Sequence, residues 1–159
     1  MEQVVAVDVA PFRLDFASRL GATAVPGGEG AFEAVRGLLP EGPLLVIEAS
    51  GKSAAQRQAL DLLAPSGTMV TVGHSSQPLE LAVSRDLIQQ EKTLLGSEYF
   101  DNREYAANEQ LILDGKLTPT DVITHRLPLG EIEQAYRLFW SGETGKVLVY
   151  PNGGSLVGS

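Results

Sequence analysis

An aspartate at the end of an apolar run is the residue of this sequence best placed to bind a nucleotide. Asp8 follows the run Val4–Val7 and precedes Pro11, which suits the first position of a helix. A carboxylate at such a strand end can accept both hydroxyl protons of an adenosine ribose, and its charge repels a 2′-phosphate. The alternative is that Asp8 only caps the loop or helix that follows. The first interpretation predicts a site that prefers NAD over NADP.

Small residues follow two further apolar runs, in the segments VIEASGKS and VTVGHSS. Ser50 and Gly51 lie in the first segment, and Gly73 and His74 lie in the second. A ligand of a doubly wound sheet lies across the carboxyl ends of the strands, where small residues let the backbone approach it. Gly51 and Gly73 are equally compatible with tight strand-to-helix turns that have no ligand.

Three other patterns lack residues that their sites require. Gly51–Ser53 reads GKS, but the phosphate-binding P-loop needs a glycine at the position of Val46. Gly27–Gly30 contains G-x-G, but a glutamate stands where the dinucleotide fingerprint has its third glycine. His74 and His125 are the only histidines, and there is no cysteine. A catalytic zinc normally takes three protein ligands, so no metal site is expected in this sequence.

Composition limits the classes of partner. The chain has 159 residues and a net charge of −8, which argues against nucleic acid or an anionic membrane as its partner. No run approaches the roughly 18 apolar residues of a membrane span, and the first residues are not a basic signal-peptide start. Disulfides are excluded because there is no cysteine. We therefore expect a soluble cytoplasmic protein with one ordinary hydrophobic core.

The elements that must position these residues alternate along the chain. Apolar, β-branched runs predict strands at Val4–Val7, Leu44–Ala49, Met69–Val72, Thr93–Gly96 and Lys146–Tyr150. Helices are predicted after Pro11, after a capping box of Ser53 and Gln56, and more weakly over 30–38 and 83–90. Parallel strands need a crossover connection, so the fold class is α/β with a doubly wound parallel sheet. LLVIEA shows no alternation, which is typical of a strand buried on both faces.

The pattern changes after residue 100. DNREYAANEQLILDG predicts one helix and LPLGEIEQAYRLFWSG a second, with DVITHRL between them as a short strand or extended link. The second helix has an apolar stripe and a stop at Gly142, the stripe comprising Leu129, Ile132, Ala135, Tyr136 and Phe139. Residues 151–159 are predicted to form a flexible tail.

Taken in order, five segments resemble the C-terminal half of the zinc-type, medium-chain alcohol dehydrogenase superfamily. They are VVAVDVAPFRLDFASRLGAT, LLVIEASG, ALDLLAPSGTMVTVGH, TLLGSEYF and ITHRLPLGEIEQAYRLFWSGETGKVLV. The resemblance covers residues 3 to about 150. The last segment is the most specific, and the pattern is nearest to the sorbitol and threonine dehydrogenase branch. The resemblance implies transfer of a hydride between a secondary alcohol and a nicotinamide cofactor.

The resemblance also implies roles for individual residues. Asp8 would hold the adenosine ribose, with Arg13 beside it, and Ser50 and Gly51 would line the cofactor. The nicotinamide side would be lined by residues from two further strand ends, namely Val72, Gly73, His74, Ser97 and Tyr99. Lys146 falls where the family often has a basic residue that reaches the pyrophosphate. A solvated lysine at the edge of a strand is an equally good interpretation of Lys146.

Two parts of the family pattern are not found in this sequence. One is the catalytic domain with its zinc ligands, and the other is the first Rossmann strand with its glycine-rich turn. We therefore expect an incomplete Rossmann fold that begins just after the phosphate loop. In the strand order 3-2-1-4-5-6 the first strand is central, so strands two and four would lose their shared partner. The implied domains are 1–99, the rest of the dinucleotide-binding domain, and 100–150, which would pack on the catalytic domain.

Three functions follow as hypotheses. The first is the cofactor-binding part of an NAD(H)-dependent alcohol or polyol dehydrogenase, inactive alone because the family's zinc has no ligands here. The second is a non-catalytic, truncated or split-gene module that binds NAD weakly or pairs with a second copy through the strand at 93–98. A separate catalytic-domain chain is a further expected partner. A class I methyltransferase core is a remote third, since it also ends its second strand on a ribose-binding acid.

Overall fold

The computed structural model describes residues 3–99 and 101–151, and the fold is α/β as predicted. The described residues form two compact units. The first comprises the residues up to Gly28 together with those from Glu104 onward, and the second comprises Glu29–Arg103. The predicted domain boundaries at residues 99 and 150 stay a prediction. The predicted tail lies outside the described residues from residue 152 onward.

Short parallel strands and helices alternate along the described residues. The strands are β1 (Val5–Asp8), β2 (Thr23–Pro26), β3 (Leu45–Glu48), β4 (Thr68–Thr71), β5 (Thr93–Gly96), β6 (Ile123–Pro128) and β7 (Lys146–Tyr150). The helices are α1 (Pro11–Arg19), α2 (Ala31–Leu38), α3 (Ser53–Leu62), α4 (Val83–Asp86), α5 (Tyr105–Leu113) and α6 (Ile132–Ser141). Within the described residues the strands form three parallel sheets, ordered β1-β2, β3-β4-β5 and β6-β7. None of the described helices is long and apolar enough to cross a bilayer.

The strand–helix–strand connection that opens the first unit follows from its sequence. Pro11 occupies the first turn of α1, where its missing N–H leaves no hydrogen bond unmade. The chain then returns so that β2 pairs with β1 in parallel, with Asp8 opposite Pro26. Strand β2 was not predicted, because its four residues TAVP carry a weak signal. It forms because its backbone pairs with β1 and because Val25 is buried.

The second part of the first unit contains the remaining predicted elements. The segment DVITHRL contributes strand β6, which pairs in parallel with β7. Helix α6 ends at Ser141, and Gly142 follows it with a φ of +74°, a left-handed conformation that glycine adopts without strain. Of the stripe predicted on this helix only Ala135 is buried, and Tyr136 and Phe139 remain more than half exposed.

The second unit has its hydrophobic core on one face of the sheet. Strand β4 lies between β3 and β5, so that Val46, Met69 and Leu94 stand in one row across the three strands. Leu60 and Leu63 pack on this row from the helical side, and together with Met69 they are the largest fully buried side chains. Each such burial stabilises the fold by about 1.5–3 kcal/mol.

Two predictions for this unit are wrong in detail. Strand β3 is buried on one face only within the described residues, since Leu45 and Ile47 on the other face are exposed. The capping box is also incorrect, because Lys52 holds the cap position and Ser53 is the first residue of α3. The side chain of Gln56, the residue expected to close the box, donates instead to Glu48 at 3.4 Å. A hydrogen bond from the Gln56 amide to a carboxylate is stronger than the bond between neutral groups that Gln56 would accept from a backbone N–H in a capping box.

Candidate functional site

Asp8 lies at the carboxyl end of β1, where its side chain has two contacts. Its Oδ1 accepts the N–H of Ala10 at 2.9 Å, which fixes the turn into α1. Its Oδ2 lies 3.5 Å from Nη1 of Arg13, one turn into that helix. The carboxylate is still 30% exposed. Because an ionised carboxylate has about four acceptor positions, Asp8 can cap this turn and still bind a ligand.

Gly27 is a positioning residue for this acid that the sequence reasoning missed. Its N–H donates to the carbonyl oxygen of Asp8 at 2.8 Å, beyond the end of β2. A Cβ at Gly27 would lie 3.1 Å from Cγ1 of Val9 and 3.3 Å from the carbonyl carbon of Asp8. Glycine therefore allows the loop after β2 to press against the end of β1. No sequence pattern singled out Gly27, because β2, the strand that precedes it, was not predicted.

Lys146 is the first residue of β7, and the turn before it is closely packed in the same unit. The N–H of Gly145 donates to Oγ1 of Thr124 at 3.0 Å. A Cβ at Gly145 would meet the carbonyl oxygen of Val122 at 2.5 Å and a ring carbon of Phe16 at 3.3 Å. The turn thus lies against α1, the helix that carries Arg13. The structure places Asp8, Arg13 and Lys146 in the first unit, with Lys146 exposed.

The remaining predicted site residues belong to the second unit. Ser50 and Gly51 follow β3, and Gly73 and His74 follow β4. A Cβ at Gly51 would lie 2.1 Å from the carbonyl oxygen of His74, and a Cβ at Gly73 would lie 2.3 Å from the amide nitrogen of Gly51. Each glycine is therefore required by the backbone of the loop that contains the other. The structure brings these two strand ends into direct contact.

A hydrogen-bonded carboxylate lies beneath the first of these turns. Glu48, the last residue of β3, is only 5% exposed. Its Oε1 accepts the N–H of Ser50 at 2.8 Å and also the Ser50 hydroxyl, while Oε2 faces Nε2 of Gln56. The sequence signal for Glu48 was an acid inside an apolar run, VIEA, and it was not counted among the site residues.

The ends of β4 and β5 border an open cleft of about 370 Å³. It is lined by four residues of the predicted set and one missed residue, namely Val72, His74, Ser97, Tyr99 and Glu98. Nε2 of His74 lies 3.6 Å from Oε1 of Glu98, and both side chains are largely exposed. Tyr99 has a φ of +57°, a conformation that is uncommon for a bulky residue, and its side chain extends into solvent.

The residues of this chain do not fit the zinc that the resemblance implies. The described residues contain no group of three histidine, aspartate or glutamate side chains able to hold a metal ion. The sequence has no cysteine. Accordingly, no chemical step through a metal ion is assigned to this chain.

Comparison with known proteins identifies similar sequences and folds. Residues 1–114 match the family of zinc-binding dehydrogenases. The chain is 31% identical to L-threonine 3-dehydrogenase of Bacillus licheniformis over 94% of this chain and 44% of that enzyme. It is also 31% identical to sorbitol dehydrogenase of Bombyx mori, over 93% of this chain and 44% of that one.

Similarity extends to solved structures. A short chain alcohol dehydrogenase from Escherichia coli CFT073, solved in complex with NADH, has a TM-score of 0.81 and 22% identity. The match covers 93% of this chain and 44% of that one. At this identity the likeness shows the fold alone. The chain spans less than half the length of each of these proteins.

Proposed function

Because this chain belongs to the zinc-binding dehydrogenase family, we propose that it is the cofactor-binding part of an NAD(H)-dependent alcohol or polyol dehydrogenase. The observation that carries the proposal is Asp8, an accessible carboxylate at the carboxyl end of β1 with Arg13 beside it. The NADH complex of the Escherichia coli protein supports the choice of cofactor. Bound NAD supplies the carbon atom of the nicotinamide ring that accepts the hydride.

Asp8 determines which dinucleotide binds in this proposal. Its free acceptor positions take the two hydroxyl protons of the adenosine ribose, and its negative charge disfavours a 2′-phosphate in the same place. Arg13, 3.5 Å from the carboxylate, helps to hold the side chain of Asp8 in position. Lys146 contributes a positive charge for the pyrophosphate. NAD(H) is therefore preferred over NADP(H).

The residues of the second unit that we propose to line a cofactor lie at the ends of β3, β4 and β5. Ser50 and Gly51 present backbone groups after β3, and Val72, Gly73 and His74 do so after β4. Ser97 and Tyr99 complete the lining from the end of β5. The packed glycines Gly51 and Gly73 support this role, because a ligand can approach the backbone where no side chain stands in its way.

Activation of the alcohol is not assigned to this chain. We propose that another domain or a separate catalytic chain supplies the metal site, and that residues 1–159 alone bind the cofactor without turnover. Residues 100–150 are proposed to pack on that catalytic part. The large exposed side chains of Tyr136, Phe139 and Trp140 on α6 support this placement. A second copy is proposed to join through the strand at 93–98.

Titration of the purified chain with NADH, followed by thermal melting, tests the proposed function. We expect saturable binding that raises the melting temperature, and an affinity for NADPH at least tenfold lower. Asp8→Ala should weaken NADH binding about 10–100-fold, since a hydrogen bond to a charged group is worth about 1.5–3 kcal/mol. Asp15→Ala is the matched control, because Asp15 is an exposed acid of α1 paired only with Arg19 among the described residues.

The outcomes separate the hypotheses. Equal NADH affinity in Asp8→Ala and the unsubstituted chain would contradict the ribose assignment. Absence of any NADH binding, with a cooperative melt retained, would contradict the proposed function and favour a non-catalytic interaction module. Binding of a methyl donor without NADH would revive the methyltransferase alternative.

A further inference from the structure

We propose that Glu48 is a positioning residue of the cofactor site, which holds the turn Ser50–Lys52 in register with the loop after β4. The inference rests on the proposed function, because it assumes that these strand-end turns receive the cofactor. Glu48 itself is buried and is not among the residues that line the cleft at the ends of β4 and β5. It would act on the cofactor only through the backbone that it holds.

The side chain of Glu48 controls the turn through a short series of hydrogen bonds. Oε1 accepts both the N–H of Ser50, at 2.8 Å, and the Ser50 hydroxyl. The same hydroxyl oxygen accepts the N–H of Lys52 at 3.2 Å, directly before α3 begins. The conformation of three consecutive residues therefore depends on one buried carboxyl group.

The backbone of Glu48 holds the neighbouring loop as well. Its carbonyl oxygen accepts the N–H of Val72 at 2.8 Å and that of Gly73 at 3.1 Å. Gly73 in turn lies so close to Gly51 that a Cβ would come within 2.3 Å of the Gly51 nitrogen. Glu48 thus holds both loops at the point where Gly51 and Gly73 are in close contact. A small shift of the first turn must either open this contact or displace Gly73.

A comparison with Asp8 shows why Glu48 is assigned a different role. Both acids end a strand and accept the N–H of the residue two positions later. Asp8 remains 30% exposed at its side chain, whereas Glu48 is buried. Burial of a carboxyl group is unfavourable unless hydrogen bonds compensate it. An apolar residue would fill this position in the core without that penalty, so the hydrogen bonds to the turn are what the carboxyl group adds.

Two substitutions separate hydrogen bonding from simple packing. Glu48→Gln keeps the length of the side chain and an oxygen that can accept from Ser50, and its amide can pair with a reoriented Gln56. Glu48→Leu keeps the volume but leaves the N–H of Ser50 without its acceptor. Leu60→Val is the matched control for stability, because Leu60 is fully buried in the hydrophobic core of the same unit, with Leu63 and Met69.

The experiment measures NADH affinity and amide hydrogen exchange for the full chain and these three variants. We expect Glu48→Leu to bind NADH about tenfold more weakly and to exchange the Ser50 amide at least tenfold faster. Glu48→Gln should stay within about threefold of the unsubstituted chain in both measurements. Leu60→Val should melt at a lower temperature with unchanged NADH affinity.

Three results would overturn the inference. The first is that Glu48→Leu keeps the NADH affinity and the Ser50 amide protection of the unsubstituted chain. The second is that Leu60→Val loses as much NADH affinity as Glu48→Leu does. The third is that Glu48→Gln binds NADH as weakly as Glu48→Leu. If Glu48→Leu does not fold, the exchange rate of the Ser50 amide in the unsubstituted chain decides the question. An amide that exchanges as fast as one in an unfolded peptide contradicts an anchored turn. Failure of the unsubstituted chain to bind NADH would instead overturn the proposed function, while Ser50 exchange still reports whether Glu48 holds the turn.

Discussion

At the scale of single residues, the surroundings of a glycine decide whether a larger residue could replace it. Gly51 and Gly73 illustrate this, because the sequence allowed either a ligand-binding role or a tight turn for each. The structure puts each of them against the backbone of the other's loop. Gly96 also ends a strand, yet a Cβ there would meet no atom within 4 Å. Identical residues at similar positions therefore differ in how far they tolerate substitution.

Gly73→Ala should destabilise the protein by about 1–3 kcal/mol, the usual range for forcing extra atoms into a packed region. The added methyl group would overlap the Gly51 nitrogen, and neither backbone segment can move away freely. Urea unfolding measures the difference, with Gly96→Ala as the matched control expected to stay within about 0.5 kcal/mol of the unsubstituted chain. Equal effects of the two substitutions would contradict the close contact.

At the scale of elements, ion pairs attach the short helix α4 to α3. A helix of four residues has too few hydrogen bonds to be stable alone. Oδ2 of Asp86 accepts from Nη1 of Arg57 at 2.8 Å and from the N–H of Ala82 at 2.9 Å, while Oδ1 accepts from Nε of Arg85 at 2.6 Å. The side chain of Asp86 is only 3% exposed. Hydrogen bonds from Arg85, then from Ala82, lower the pKa of Asp86 well below its ordinary value of 3.8.

Asp86→Asn should lower the melting temperature at neutral pH, and the difference should shrink in acid. A lowered pKa means that the folded state binds the proton less readily than the unfolded state does. The contribution of Asp86 is therefore complete above about pH 4 and is lost as the pH falls toward its folded-state pKa. Melting curves from pH 7 to pH 2.5 test this expectation.

Asp15→Asn serves as the control for the loss of one charge, since Asp15 is exposed and forms an i,i+4 pair with Arg19. Such a pair is worth about 0.3–0.5 kcal/mol, so its removal should change the melting temperature little. A melting temperature of Asp86→Asn equal to that of the control at pH 7 would show that the ion pairs do not hold α4.

At the scale of the whole molecule, the described residues leave many large apolar side chains exposed. Ile47 on β3, Leu95 on β5 and Trp140 on α6 are examples from different parts of the chain. Parallel sheets normally have both faces covered. This chain matches only 44% of the length of the threonine and sorbitol dehydrogenases. Exposed apolar surface and partial coverage together favour the proposed partners.

Self-association through the strand at 93–98 can be tested by introducing one charged residue into that strand. Within the described residues β5 pairs only with β4, so its other edge is open to a second copy. Leu95→Lys should shift a dimer toward monomer in sedimentation velocity, because a lysine would be desolvated at such an interface. Ile88→Lys, at a similarly exposed position outside the strand, should leave the distribution unchanged. A monomeric unsubstituted chain would contradict the proposed interface.

Most of the fold could be predicted from short-range signals in the sequence. Strands β5 and β7 have the predicted bounds, α1 begins at Pro11, and α6 stops at Gly142, because backbone stereochemistry and local hydrophobicity act within a few residues. The family followed from the same segments in their order along the chain. The apolar run before Asp8 and the proline after it also predicted that Asp8 lies at a strand end.

Only the tertiary structure decided which distant residues meet. The strand β2 exists because it pairs with β1, and the Gln56 side chain donates to Glu48 instead of accepting from the backbone at the start of its own helix. The contact between Gly51 and Gly73 depends on the register of β3 against β4. Sequence patterns report the preference of each segment for its own conformation. Which donor reaches which acceptor is set by the packing between segments. That packing buries Glu48, a glutamate in an apolar run, where it accepts two hydrogen bonds from Ser50.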